Sequence, residues 1–503
     1  MLVLLVDISA KQEYVFGSTK LKDNIGASNV LAYKVFEKEI LSRCGIIVDK
    51  NIISDPPGES GQIVYIGGGN AMFTFEKESE MKSFICKFSK DILISFGGIK
   101  LNFGWTQITD KDLDQQWQST NQKIQLCLTK NKHQQHTLYR PIKTGFVSDC
   151  KLSGEAQEVS MDEGKSYVSK ELQVKRSNYK FVNEYEDWDA GKIKINLPDG
   201  YELSEDIDEI VTDQDNAYLA VVHIDGNGLG KDFISKANKS DFQEFSRQIK
   251  RKLAVSLESL IEKVAAKFSD GGFGERTEFE VSLSKKNENY ILPIRPIINA
   301  GDDITIVCHG KLGLWIAEEY MAILNSSEVG DISIPCSAGV AIVNKKFPFA
   351  KAYDLAENLA AEAKVKNRQK KIEGKNWINF IISPEGYSGD FEDLILRHYM
   401  DYNGVSVSRG PYLIGEPNEK IEPDFNMLKK KLHSMVYSDA KWPKNKIMDI
   451  RDVLSKSIIE QKLFELHMEA RGLELTDIQS FPYFDMVDMI DFYPHQLLNL
   501  KND

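Results

Sequence analysis

The stretch "AYLAVVHID" (217–225) restricts the fold of this chain more than any other, because it is a nearly unbroken apolar run that stops on a carboxylate. A strand without polar alternation is buried on both faces, at the centre of a sheet. Such a strand needs neighbours and covering helices, and the following residues supply them. Phe242, Phe245, Ile249, Leu253, Leu257, Leu260, Val264 and Phe268 recur at helical spacing, with Ser240 and Gln243 as a capping box. A hairpin follows at roughly 294–299 and 304–308, with "AGDD" (300–303) at its tip. Leu312, Ile316, Tyr320 and Ile323 mark one face of a second helix, which leads to the strand "ISIPCSAGVAIV" (332–343). The order is βαββαβ, the ferredoxin-like arrangement. A helix at about 349–367 and the strand "NWINFII" (376–382) extend it.

The N-terminal passage runs the same way. "LVLLVDIS" is a strand ending on Asp7, and a helical stretch follows over about 27–43. A hairpin at 62–76 has "GGGN" (67–70) at its tip, then come a helix (77–95) and a strand (98–107). Asp7 matches Asp225 and GGGN matches AGDD, which reads as a tandem duplication in which only the second copy keeps hairpin acids. The expected fold class is α+β, with two ferredoxin-like domains in tandem. Their spans are 1–109 and 216–385, separated by a more polar helical and irregular insert (110–215). A C-terminal helical domain (386–503) follows, exemplified by the pattern at 449–470. A chain of 503 residues accommodates about three domains, and 42% hydrophobic content supports their cores.

Totals exclude several classes. A net charge of −12 argues against a surface that coats nucleic acid generally. No apolar stretch reaches membrane-span length, and "MLVLLVDISA" lacks the basic leader of a signal peptide, so a cytoplasmic protein is expected. The six cysteines are scattered without a CxxC pair, which fits a reducing compartment and not a four-cysteine zinc site. No HExxH and no His-Asp pair is present, so histidine-based metal hydrolysis has no basis.

The acids at the hairpin carry the chemical question. Uncompensated carboxylates at a core edge are costly unless paired, solvated or metal-bound, although Gly-Asp is also ordinary turn chemistry. The ferredoxin-like order sets Asp225 beside the hairpin tip, so it should converge with Asp302 and Asp303 across more than 70 residues of chain. Carboxylates without histidines suit Mg²⁺ or Mn²⁺, and a two-metal site serves in-line phosphoryl displacement. Side chains adjacent on a regular strand face opposite ways, so Asp303 is read as direct ligand and Asp302 as second ligand or charge stabiliser. In "GNGLGKDF" (226–233), the backbone of Gly226, Asn227, Gly228, Leu229 and Gly230 could cradle a triphosphate, or the glycines are plain turn residues. Lys364 ends a helix whose Tyr353, Ala356, Ala360 and Ala363 face inward, and reads either as a phosphate contact or as a solvated helix-end charge. Lys366, Arg368, Lys370 and Lys371 read as solvated surface.

The pieces "HIDGNGLGKDF", "INAGDDITIVC", "ISIPCSAGVAI" and "AENLAAEAKVKN" resemble the catalytic palm of the large subunit of type III CRISPR effector complexes, and the nucleotide-cyclase palms related to GGDEF domains. "DISAKQEYVFGSTKLKDNIGASNVLA" with "VYIGGGNAMF" resembles that subunit's first, non-catalytic palm. The resemblance implies a nucleotidyltransferase that joins ATP through 3′–5′ linkages, releases pyrophosphate and makes cyclic oligoadenylate messengers for antiviral defence. It implies metal ligation by Asp225 and Asp303 with Asp302 assisting, and nucleotide contacts at Gly226 to Gly230, Gly301 and Lys364. Guide RNA and other effector subunits are the implied partners, with a stand-alone role and the oligomeric state left open. The family's GGDD is AGDD here, its second acid is Asn227, and "SDCKLSGEA" (148–156) resembles its zinc knuckle with Ser153 in place of a cysteine, so no zinc is expected. The family's HD nuclease is not recognised, so no single-stranded DNA cleavage is expected. Two alternatives stay open: a palm scaffold that binds RNA, nucleotide or partner subunits without chemistry, and adenylylation of another small molecule.

Overall fold

The computed structural model describes residues 1–18, 20–47, 61–109, 116–134, 146–161, 166–187, 190–212, 217–269, 281–300, 303–326, 332–370, 375–383, 390–401, 403–415, 424–437, 442–473, 475, 478 and 481–494. Gly301 and Asp302 lie outside the described residues. The chain divides into two compact units, one of Met1–Asn196, Gly228–Glu258 and Ile297–Asp303, the other of Leu197–Asn227, Ser259–Pro296 and Ile304–Asp503.

The first unit holds strands β1 (Leu2–Ser9), β2 (Gly61–Gly67), β3 (Asn70–Phe75) and β4 (Lys100–Gln107). With a short edge strand at Ile46–Ile47 the order is edge-β2-β3-β1-β4, the ferredoxin-like order expected from the sequence. β1 runs antiparallel to both neighbours, with Asp7 opposite Asn70 on one side and Asn102 on the other. Helix α1 (Leu21–Asn29) continues into a π turn (Val30–Lys34), and α2 (Glu78–Ser95) buries Met81, Phe84, Phe88 and Ile92 at helical spacing.

A third helix, α3 (Trp117–Gln134), follows β4 and shares a buried cluster with Val3, Leu5, Val64 and Met72 through Trp117, Ile124 and Leu128. It sits so low on the sheet that a Cβ added to Gly104 would lie 2.7 Å from the Leu128 backbone nitrogen. This is the close approach that only glycine permits in a strand.

Further along, the described residues of the expected insert include α4 (Lys170–Ser177) and two antiparallel ribbons. The knuckle-like turn is also there, with Gly154 N donating to Cys150 O (2.8 Å) and the Ser153 and Ser169 hydroxyls 2.9 Å apart. Burial pushes the Cys150 thiol up, but hydrogen bonds from Ser153 and from the backbone of 152, 153 and 169 outweigh it and lower its pKa.

The second sheet consists of β5 (Tyr218–Gly226), β6 (Ile294–Ala300), β7 (Asp303–His309), β8 (Cys336–Asn344), β9 (Asn376–Ile382) and β10 (Tyr412–Ile414), all in the second unit except Ile297–Ala300 and Asp303. Their order, β6-β7-β5-β8-β9-β10, repeats the first sheet's pattern and adds two strands. β5 is buried from Leu219 to Ile224, as its composition requires. After β5 come a short helix α5 (Leu229–Ile234) and the long α6 (Lys239–Ser269), of which α5 and the part of α6 up to Glu258 belong to the first unit. The expected capping box is replaced: Asn238 Oδ1 accepts from Asp241 N (2.8 Å), and Gln243 donates to Val64 O (2.7 Å). An asparagine caps as well as a serine, which frees Gln243 for β2. α7 (Gly313–Asn325) is mostly buried, and α8 (Phe349–Lys370) turns Tyr353, Ala356, Ala360 and Ala363 into the core as expected.

Beyond the sheet come α9 (Phe425–Tyr437), α10 (Lys444–Leu454), α11 (Ile458–Glu469) and α12 (Tyr483–Asp488). The helical pattern at 449–470 is two helices, because Ser457 and Glu460 form a capping box that starts α11. Buried acids knit this region. Asp485 accepts from Arg409 N (2.8 Å) and Ser408 Oγ (3.1 Å), while Asp488 pairs with Arg451 at 2.8 Å. No described helix is long and apolar enough to cross a membrane.

Candidate active site

Strand β5 leaves the core at Asp225, which is partly exposed where the preceding Ile224 is 1% exposed. Its neighbour β7 begins at Asp303. The two strands are tied by a buried polar contact: His223 Nδ1 lies 3.0 Å from Thr305 Oγ1. Asp225 stands two residues after His223 and Asp303 two residues before Thr305, each on the same face of its strand as that partner of the tie. The third acid expected there, Asp302, and Gly301 are outside the described residues, and of Ala300 only the backbone is described. Among the described residues no three His, Cys, Asp or Glu side chains gather as a metal cluster.

Lys364, on the last turns of α8, donates to Asp225 Oδ2 in a close ion pair. Thus the Asp225 carboxylate is paired with a side-chain cation. His223 does not supply that charge. Burial pushes its pKa down to about 4, with Asp225 opposing and Lys364 adding, so the ring is neutral at pH 7. Nothing in the spacing of the sequence singled out His223, although a polar residue inside so apolar a run was the available signal.

The segment after Asp225 is shaped by hydrogen bonds. Asn227 N donates to Pro335 O (2.7 Å), and Ser337 Oγ donates to Asn227 Oδ1 (3.1 Å). Gly228 has φ of 86°, a left-handed conformation that glycine adopts without strain. Gly230 has no such need, yet a Cβ at either glycine would meet no atom within 4 Å. An unforced helical glycine facing open space leaves backbone accessible to a ligand. Leu229 is buried and anchors the turn.

A strand glycine sets the height of α8. Gly339 pairs with His223 across β5 and β8, and a Cβ there would lie 1.9 Å from Ala356 O and 2.5 Å from Ala360 N. Lys364 follows Ala360 by four residues, about one helical turn. The first unit has the same construction. Gly104 pairs with Leu5, two residues before Asp7, and lies under Leu128; Lys132 follows by four residues and pairs with Asp7 at 2.5 Å.

Fold and site together define a protein of two palms, the second carrying carboxylates at neighbouring strand ends. Residues 218–376 match the family described as Cas10/Cmr2, second palm domain. No curated protein matches the chain. The fold is similar to that of a Csm1-Csm4 cassette in complex with one ATP, at 14% identity and TM-score 0.56, covering 98% of this chain and 70% of that one. It is similar also to the cassette in complex with cA4 (15% identity, TM-score 0.55, 97% and 70% covered). A third similar structure is the Csm1-Csm4 subcomplex of the type III-A CRISPR-Csm interference complex (15% identity, TM-score 0.53, 97% and 70% covered). Residues 218–376 thus match a Cas10/Cmr2-type second palm, and the likeness to the solved structures is one of fold.

Proposed function

We propose that the second palm is a metal-dependent nucleotidyltransferase that joins ATP, releases pyrophosphate and makes a cyclic oligoadenylate-type messenger in CRISPR or related antiviral defence. The observation that carries this reading is the cation-clasping Asp225 at the end of β5, with Asp303 opening the neighbouring strand, inside the Cas10/Cmr2-type segment. Asp225 and Asp303, joined by Asp302, would hold Mg²⁺ or Mn²⁺, since their donors are all carboxylate oxygen. Such ions, when bound, favour deprotonation of an attacking hydroxyl and balance charge on the leaving pyrophosphate.

The chain's own residues do the rest. Lys364 pairs with Asp225 and would turn its ammonium to the triphosphate when ATP binds. Gly226 to Gly230 and Gly301 give the phosphates close access to backbone amides, and the neutral His223 keeps β5 and β7 in register without adding charge. The solved relatives include complexes with ATP and with cA4, in line with an adenine nucleotide as substrate. Those relatives are paired with Csm4, and a partner of that kind, with guide RNA, is the expected cytoplasmic setting for this chain.

The test is incubation of labelled ATP with Mg²⁺ or Mn²⁺, with and without partner subunits, following pyrophosphate and identifying products by mass spectrometry. Chelation and the pair Asp225→Asn plus Asp303→Asn should abolish release. Release that survives the double substitution refutes the assignment, and ATP binding without turnover by the intact complex would point to a scaffold.

A further inference from the structure

The first palm poses a charge problem that its own side chains solve. Asp7 is 6% exposed, and its hairpin offers Asn70 where the second palm has Asp303. The Asp7 carboxylate is nevertheless fully occupied. Ser9 Oγ donates to Oδ2 at 3.0 Å, the Asn70 amide donates to Oδ1 once its nitrogen is turned toward it, and Lys132 Nζ lies 2.5 Å from Oδ2. A second lysine, Lys11, crosses the glycine turn and donates to Gly68 O at 2.5 Å. A Cβ at Gly69 would lie 2.7 Å from the Lys11 side chain, so the glycine makes room for it.

We propose that Lys132 is a built-in counter-cation, holding at Asp7 the position a divalent ion would otherwise fill, so that the first palm is charge-balanced without a metal. The charges agree with this: Lys132 pairs with Asp7 and the hairpin position opposite is the neutral Asn70, whereas beside the Asp225–Lys364 pair the neighbouring strand opens on a second carboxylate, Asp303. The geometry agrees as well, because Lys132 and Lys364 reach their acids from equivalent helices over equivalent glycines. A buried carboxylate stripped of its lysine would need another cation or a proton. The inference concerns the first palm alone and stands whether or not the second palm turns over ATP.

The experiment uses the full chain with Asp225→Asn and Asp303→Asn, so that any divalent response comes from elsewhere. Adding Lys132→Met should lower the thermal midpoint in chelator by about 2–4 °C, and millimolar Mn²⁺ should restore most of it. Electron paramagnetic resonance should count one Mn²⁺ more than in the parent, lost again on adding Asp7→Asn. Lys132→Arg should match the parent in both measurements. Should Lys132→Met fail to fold, Lys132→Met with Asp7→Asn must fold, since removing the carboxylate removes the need for a cation. An unchanged midpoint with no added Mn²⁺, or a double variant that also fails to fold, overturns the proposal.

Discussion

Gly339→Ala isolates the geometry on which the second palm depends. The added Cβ would start 1.9 Å from Ala356 O and 2.5 Å from Ala360 N. Both are helix backbone, which cannot rotate aside. Reaching an ordinary 3.4 Å contact requires α8 to rise by about 1.5 Å, the difference between 3.4 and 1.9. Overpacking of this kind costs about 1–3 kcal/mol, and a rigid obstacle sets the expectation near the upper figure. The same lift carries Lys364 away from Asp225 by more than a hydrogen bond tolerates. Urea unfolding should show a lowered midpoint at unchanged slope, and ATP affinity should fall with it. Gly104→Ala, with 2.7 Å to Leu128 N, should destabilise the first unit without touching the nucleotide site. A Gly339→Ala protein within about 0.5 kcal/mol of wild type would refute the reasoning, because that is the range of neutral surface changes.

Other outcomes follow from the same contacts. Lys364→Met should alter stability by less than about 1 kcal/mol, since the pair is 26% and 22% exposed. The same change should lower pyrophosphate release at limiting ATP about tenfold, as loss of a charged hydrogen bond does. His223 is held near pKa 4 against an ordinary 6.5, so its contribution is complete above pH 6.5 and lost as pH falls toward 4. His223→Gln should therefore flatten the acid side of a urea-midpoint profile. Asp488 runs the other way: burial, with Asp485 adding and Arg451 opposing, raises it to about 7. Its contribution is complete below its ordinary 3.8 and lost as pH rises through 7, so Asp488→Asn should gain on wild type across that interval.

Much of this architecture was legible because the strongest signals were long ones. The apolar β5 run and the heptad-like spacing of α6 allow few other folds, and the strand at 376–382 falls where the pattern puts it. The polar region after β4 was harder. α3 packs on the sheet through three apolar side chains, Trp117, Ile124 and Leu128, and otherwise through polar contacts such as Asn131 to Phe103 O and Lys132 to Asp7, so "NQKIQLCLTKNKHQQH" reads as exposed although it covers β4. Lys132 was obscure for a related reason, and Lys364, although singled out, could equally be read as a solvated charge. A lone lysine near a helix end is usually solvated, and only the paired glycines reveal that each ammonium is aimed. Those pairings are cross-strand contacts that no local window contains. The break before α11 was readable, since Ser457 and Glu460 stand at capping-box spacing inside an otherwise continuous helical pattern.

Gly104 and Gly339 work as depth stops. A missing methyl in the fourth strand decides how far a helix descends, and that descent decides where an ammonium arrives four residues later. Duplicated domains can then diverge in what they hold while keeping the place at which they hold it. A saturation library at these two glycines should consequently return equally narrow tolerance from both copies, the one proposed to be catalytic and the other alike.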